Sequence, residues 1–223
     1  MSWPRPRPGE ERRMARFWKY GVFTATALTA VVALSGCTAD QKARAYAGDD
    51  RDEWQQPERV IEALEIDPGQ RIADLGSGGG YFTFRLAEAV GPGGRVYALD
   101  VDEDMNQRLE GIARERGADN VSVVLAALDD PKIPEPVDLI FSSNTYHHIE
   151  NRVAYFARAG GYLRPGGRVA ILEYRRQGFF HRIMGHATES SVMRGELEAA
   201  GFTLAAELEF VERQHFLIFE RPD

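Results

Sequence analysis

Residues 73–82 read ADLGSGGGYF, which places four glycines within residues 76–80, directly behind an apolar run and an aspartate. A glycine inside a helix or strand is unfavourable by roughly 0.5–1 kcal/mol relative to alanine, so the cluster suits neither element. It suits the turn between them. A strand over 71–75 runs into this turn, and a helix follows in which Phe82, Leu86, Ala89 and Val90 recur at helical spacing. Without Cβ atoms, the backbone N–H groups of such a turn approach a ligand closely, and in open α/β sheets ligands bind at the carboxyl ends of the strands.

The rest of the chain repeats the alternation. Helical spacing over 56–64 is followed by a DPGQ turn, and GPGG at 91–94 closes the second helix before a strand over 95–100. A helix over 103–116 stops at Gly117. Strands are expected over 121–125, 137–142 and 168–173, with a helix over 151–163 and an RPGG turn just ahead of the last of these strands. Parallel neighbours need long crossovers, so strands separated by helices predict a doubly wound, mostly parallel sheet. The tail differs: after a helix over 191–200, β-rich runs at 202–211 and 215–219 are joined by ERQ alone, which predicts an antiparallel pair.

The amino terminus carries a different signal. Arg5, Arg7, Arg12, Arg13, Arg16 and Lys19 precede an apolar run over 22–34 that is short for a membrane-spanning helix, a signal-peptide pattern. The run ends in Leu34-Ser35-Gly36-Cys37, which resembles the lipobox of bacterial lipoproteins. That resemblance implies a lipidated Cys37 at a mature amino terminus, membrane attachment through it, and an extracytoplasmic location; an uncleaved anchor at the cytoplasmic face is the alternative. The expected division is a signal peptide over 1–36, a polar tether over 37–53 and a folded domain over 54–223. Cys37 is the single cysteine, so no internal disulfide or cysteine metal cage can form. A formal charge of −7 offers no basic stripe for nucleic acid. A small molecule is the expected partner.

Glycine-rich first turns serve dinucleotides as well as other nucleosides, with an acidic residue about twenty positions on, here Asp100. Asp74, two positions ahead of the first glycine, favours a cationic amino group over a pyrophosphate. The spacing GSGGG also differs from G-x-G-x-x-G. With VYALDVDEDM, VDLIFSSNTYHHIENR, YLRPGGRVAILEY and LEAAGFTLAAELEF, these residues resemble the class I S-adenosylmethionine-dependent methyltransferases over about 56–219. The resemblance implies a doubly wound Rossmann-like methyltransferase fold with S-adenosyl-L-methionine as cofactor. By it, Gly76, Ser77 and Gly78 line the methionine part, Asp74 lies near its ammonium, Asp100 accepts from both ribose hydroxyls and Val101 packs on the adenine. The family's usual Gly-Asp after the third strand is replaced by Ala126-Ala127-Leu128, so backbone at Ala127 and Leu128 is expected to meet the adenine edge, with Asp129 or Asp130 as substitutes for the missing carboxylate.

Methyl transfer from a sulfonium needs alignment and water exclusion, and a base only where the acceptor must lose a proton. Asn144, Tyr146, His147 and His148 follow the fourth strand at the expected mouth of the site, with Asn144 assigned to cofactor contact and His148 and Glu173 as candidates for the base. One histidine of the pair is expected to be packed within the fold. Adjacent residues on regular structure point apart, and no metal site is read from the pair. The segment 174–190 mixes aromatic and basic residues and reads as a substrate lid or as a surface helix. The expected function is methyl transfer to a small-molecule or lipid-like acceptor; the alternative is a membrane-anchored module that binds an adenosine-like ligand without catalysis.

Overall fold

The computed structural model describes residues 50–175 and 187–222. The signal-peptide reading, Cys37 and most of the tether lie outside them, as does the 176–186 part of the expected lid. Among the described residues, no helix is long and apolar enough to cross a membrane.

Chain order is α1 (Arg51–Gln55), α2 (Pro57–Ala63), β1 (Arg71–Leu75), α3 (Thr83–Val90), β2 (Arg95–Asp100), α4 (Glu103–Arg116), β3 (Val121–Leu125), β4 (Val137–Ser143), α5 (Arg152–Ala159), β5 (Leu163–Tyr174), α6 (Ser190–Ala199), β6 (Thr203–Leu208) and β7 (Gln214–Glu220). They build a seven-stranded sheet in the order β3-β2-β1-β4-β5-β7-β6. β1 to β5 are parallel, and β7 pairs antiparallel with both β5 and β6. This is the doubly wound fold expected from the alternation.

Local chemistry sets the element ends. Gln56 adopts φ +49° and Pro57 occupies the first turn of α2, so the helix expected from residue 56 begins one residue later and α1 stands apart from it. Asp102 caps α4 by accepting from the N–H groups of Asp104 and Met105, and Gly117, at φ +62°, ends it. The helix expected over 151–163 is shorter, since α5 ends at Ala159 and a 3-10 turn covers Gly160–Tyr162.

Two expectations about the second half of the sheet are corrected. The RPGG turn lies inside β5: Val137 pairs with Leu163 and Leu139 with Arg168, so the intervening residues bulge out, with Arg164 Nη1 held by both oxygens of Asp138 at 3.0 and 2.9 Å. The last two strands are joined by residues 209–213 and not by ERQ alone, because β7 already begins at Gln214 and β6 ends at Leu208. A body of Val60, Leu64, Leu86, Val90, Leu139 and Phe141 fills one side of the sheet, and one of Leu99, Ile140, Phe156, Ile171, Met193 and Leu197 fills the other.

Candidate functional site

Because β1 to β5 are parallel, their carboxyl ends share one edge, and the glycine turn, Asp100, the residues after β3 and the residues after β4 all meet there. Gly76, Gly78 and Gly80 all have φ between +51° and +82°. The turn is closed by Gly76 and Ser77 N–H groups donating to Leu99 O at 2.8 and 3.0 Å. A Cβ on Gly76 would overlap the Thr145 side chain, and one on Gly80 would meet Leu109 and Phe84. At these two positions glycine therefore permits packing against the β4 loop and α4, apart from any ligand.

Asp74, at the end of β1, is 2% exposed and accepts from Thr83 Oγ1 at 2.6 Å. Burial pushes its carboxyl from 3.8 up to about 6, with Thr83 opposing, Asp100 adding and Arg51 opposing. A second cation drawn to this site would relieve that penalty. Asp100 accepts from Gly78 N–H through Oδ2 and from Asp102 N–H through Oδ1, both at 3.0 Å. Each oxygen holds one backbone donor and keeps acceptor capacity on its outer side, the geometry that suits a vicinal diol. Ser77 Oγ and Asn106 Oδ1 are buried without a partner beside it.

Val101 and Leu128 are 51% and 79% exposed. Ala126 N–H donates to Asp100 O at 2.9 Å, which brings the end of β3 against the end of β2. Ala127 N–H is engaged by Asp130 O at 2.8 Å in a tight turn, so of the two main-chain positions expected to meet the adenine, Leu128 is the one outside that bonding. Asp130, one of the two carboxylates expected as substitutes at that edge, accepts through Oδ1 from Lys132 N–H and Tyr162 Oη, both at 2.9 Å.

Asn144, at φ +56°, accepts from Gln214 Nε2 at 2.5 Å, and Gln214 Oε1 in turn accepts from Gln55 Nε2 at 2.9 Å. Sequence reasoning missed this network, which joins α1, β4 and β7, since residues so far apart carry no joint signal. It also missed Arg51, whose guanidinium lies 3.7 Å from the Tyr81 ring centre, and Asp52, which accepts from Tyr81 Oη at 2.5 Å. Both residues fall within the 37–53 stretch expected as tether.

Glu173 is fully buried and accepts from the Tyr174 N–H at 2.8 Å and the His147 N–H at 3.3 Å, and its Oε1 lies 2.9 Å from His147 Nδ1. The two base candidates are thus not brought together: Glu173 pairs with His147, and His148 is exposed. The histidine rings do not point apart, because Tyr146–His148 form a 3-10 turn in which the ring centres are 4.0 Å apart. Tyr146, buried ahead of them, donates to Glu196 Oε2 at 2.5 Å, and Arg152 grips the same carboxylate at 2.7 and 2.9 Å. Among the described residues no group of three or more His, Cys, Asp or Glu is disposed to hold a metal ion.

A glycine turn, the buried Asp74, the carboxylate of Asp100 and the exposed Val101 and Leu128 thus share the carboxyl edge of a parallel sheet, an arrangement suited to a nucleoside that bears an amino group. A methyltransferase-domain family profile matches residues 66–207, more than half of the chain, and the chain belongs to that family. It is similar to a nocamycin O-methyltransferase of Saccharothrix syringae, 35% identical over 51% of this chain and 41% of that one. A ubiquinone/menaquinone biosynthesis C-methyltransferase of Ectopseudomonas mendocina is 32% identical over 53% of this chain and 47% of its own. The chain thus spans less than half the length of these two relatives. Among solved structures, an S-adenosylmethionine-dependent methyltransferase from Aquifex aeolicus superimposes with a TM-score of 0.73 at 24% identity, covering 81% of this chain and 97% of that one.

Proposed function

We propose that this protein transfers a methyl group from S-adenosylmethionine to a small-molecule or lipid-like acceptor. The observation that carries the reading is Asp74: a buried carboxylate at the end of β1, held near pH 6 beside a glycine turn, is complementary to an ammonium group. When bound, S-adenosylmethionine supplies an electrophilic methyl on a sulfonium. Asp74 would hold its ammonium, the orphaned Ser77 hydroxyl and the Gly78 loop its methionine part, Asp100 its ribose, and Val101 and Leu128 its base. Asn144, assigned to cofactor contact, would be oriented by Gln214, which Gln55 of α1 holds in turn. Where the acceptor must lose a proton, the exposed His148 is assigned that task, and Glu173 acts through His147 to orient the turn that carries both rings. The names of the relatives, one an O-methyltransferase and one a quinone-biosynthesis C-methyltransferase, support a small organic acceptor.

Cys37 is proposed to be lipidated and to tether the domain to a membrane, on the strength of the Leu-Ser-Gly-Cys sequence behind the basic and apolar amino terminus. Calorimetry with S-adenosylmethionine and S-adenosylhomocysteine tests the cofactor. Binding of neither would abandon it, and binding without turnover across an acceptor screen would favour the non-catalytic module, whose cofactor would have to reach the outer face. Mass spectrometry of membrane-extracted protein tests the tether: a mature amino terminus other than lipid-modified Cys37 would sink it.

A further inference from the structure

We infer that Arg51 holds the carboxylate at the amino-acid end of the cofactor while Asp74 holds its ammonium, so that α1, a helix ahead of the sheet, supplies part of the binding site. The inference rests on the cofactor reading above and adds a residue to it.

An amino-acid end carries an anion and a cation on one carbon, so a site that reads both needs a protein cation close to a protein anion. Asp74 suits the ammonium, and the carboxylate calls for a positive charge nearby. Two contacts place Arg51 there. Its guanidinium lies 3.7 Å from the ring centre of Tyr81, the residue that follows the glycine turn, and 5.9 Å from that of Phe82. Its Nε donates to Gln55 Oε1 at 2.5 Å, and Gln55 Nε2 donates to Ser143 Oγ at 3.2 Å and to Gln214 Oε1 at 2.9 Å. Ser143 ends β4, and the register that pairs Asp74 with Phe141 and Leu75 with Ser142 sets it one residue past the end of β1. Arg51 is thus held between the exit of the glycine turn and the end of the strand that pairs with Asp74.

Charge agrees with this placement. Asp74 takes its hydrogen bond from Thr83, and Arg51 acts on it by charge, opposing the rise that burial imposes on the carboxyl. Burial lowers the Arg51 pKa from its ordinary value, with Tyr81, Tyr174 and Asp74 opposing and Arg85 adding. An anionic ligand group beside the guanidinium would offset that burial, as an ammonium would at Asp74. Tyr81 orients the guanidinium. Its Oη donates to Asp52 Oδ1 at 2.5 Å and its main-chain oxygen accepts from Arg85 Nη1 at 2.8 Å, so the ring is fixed from both ends. A guanidinium stacked on a ring directs its N–H groups in its own plane, where a carboxylate is met by two parallel bonds.

Calorimetry on the full-length chain in detergent compares S-adenosylmethionine with its decarboxylated form, which keeps the ammonium, the sulfonium and the nucleoside. Hydrogen bonds to charged groups are worth roughly 10- to 100-fold in affinity, and the parent chain should prefer the carboxylated probe by about tenfold or more. Arg51→Gln should weaken S-adenosylmethionine by about tenfold or more and the decarboxylated probe by less than about threefold. A variant that weakens both alike would make Arg51 a holder of α1 only, and a preference that survives the substitution would put the carboxylate elsewhere; either result overturns the inference. Hydrogen exchange in the parent chain gives a second reading that depends on no variant. With each probe saturating, S-adenosylmethionine should protect 51–55 more than the decarboxylated probe does, and equal protection overturns the inference too. If S-adenosylmethionine fails to bind the parent chain, the cofactor reading falls and takes this inference with it; equal affinity for the two probes overturns the inference alone.

Discussion

With Asp74 assigned to the ammonium of the ligand, binding there should be coupled to proton binding. With its carboxyl raised to about 6 by burial, a fraction of the ligand-free protein near that pH carries a proton there, and an ammonium ligand must displace it. S-adenosylmethionine binding should therefore tighten as pH rises from 5 to 7, by about tenfold, then level off, with proton release visible as a buffer-dependent binding enthalpy. Asp74→Asn should flatten that profile and weaken binding at pH 7. Asp100 acts differently. Its carboxylate holds the Gly78 and Asp102 N–H groups as well as being assigned to the ribose, so Asp100→Ala should weaken nucleoside binding by about 1.5–3 kcal/mol and also lower thermal stability. An alanine variant with unchanged melting temperature would mean that these two backbone bonds contribute nothing to the turn.

At the scale of elements, the glycine turn and α1 depend on partners distant in sequence. Gly76 at φ +75° carries a strain of about 1–2 kcal/mol for any other residue, and a Cβ there also overlaps Thr145. Gly76→Ala should lower the melting temperature by several degrees, and adding Thr145→Gly should recover the steric part while leaving the backbone part. Such partial recovery is measurable in a thermal double-mutant cycle. α1 is only five residues long, too short to persist by itself, and is held by Asp52 to Tyr81 and Arg85 and by Gln55 to Ser143 and Gln214. Gln55→Leu should leave Gln214 short of a donor and speed hydrogen exchange across 51–55 far more than across β1. Equal protection in variant and parent would show that α1 is fixed by other contacts.

For the whole molecule, two buried groups pull stability in opposite directions as pH changes. Between 3.8 and about 6 the folded chain keeps the Asp74 proton that the unfolded chain loses, so this group lowers stability as pH rises, by up to about 3 kcal/mol, and is level above 6. His215 on β7 has both ring nitrogens buried without a partner, and burial holds its pKa below 6.5, helped by Arg175 and opposed by Glu189, Glu207 and Glu173. Below pH 6.5 the unfolded chain takes up a proton that the folded chain resists, so His215 lowers stability as pH falls. Asp74→Asn should expose the acid-labile slope, and His215→Phe should expose the opposite one and raise the melting temperature below pH 6. Denaturant titrations at several pH values separate the two, and an unaltered profile in both variants would refute the assignment.

The sequence by itself determined the alternation of strands and helices, the glycine turn and the positions of Asp74 and Asp100, because these follow from local periodicity and from residues within one strand-turn-helix unit. The resemblance to the methyltransferases marked Ala126-Ala127-Leu128 as a departure from the usual Gly-Asp, and the antiparallel tail followed from a short connection. Only the tertiary structure decided that β7 inserts between β5 and β6, which sets His215 opposite Glu173 and Gln214 beside Asn144 and Gln55. Strand order is settled by which faces bury together, and no local period encodes it. The tertiary structure likewise decided which histidine Glu173 holds, since a 3-10 turn replaced the alternation that a strand would have imposed on adjacent residues. It placed Arg51 and Asp52 against Tyr81 as well, because the end of a polar stretch that reads as tether forms α1 and packs on the turn after β1.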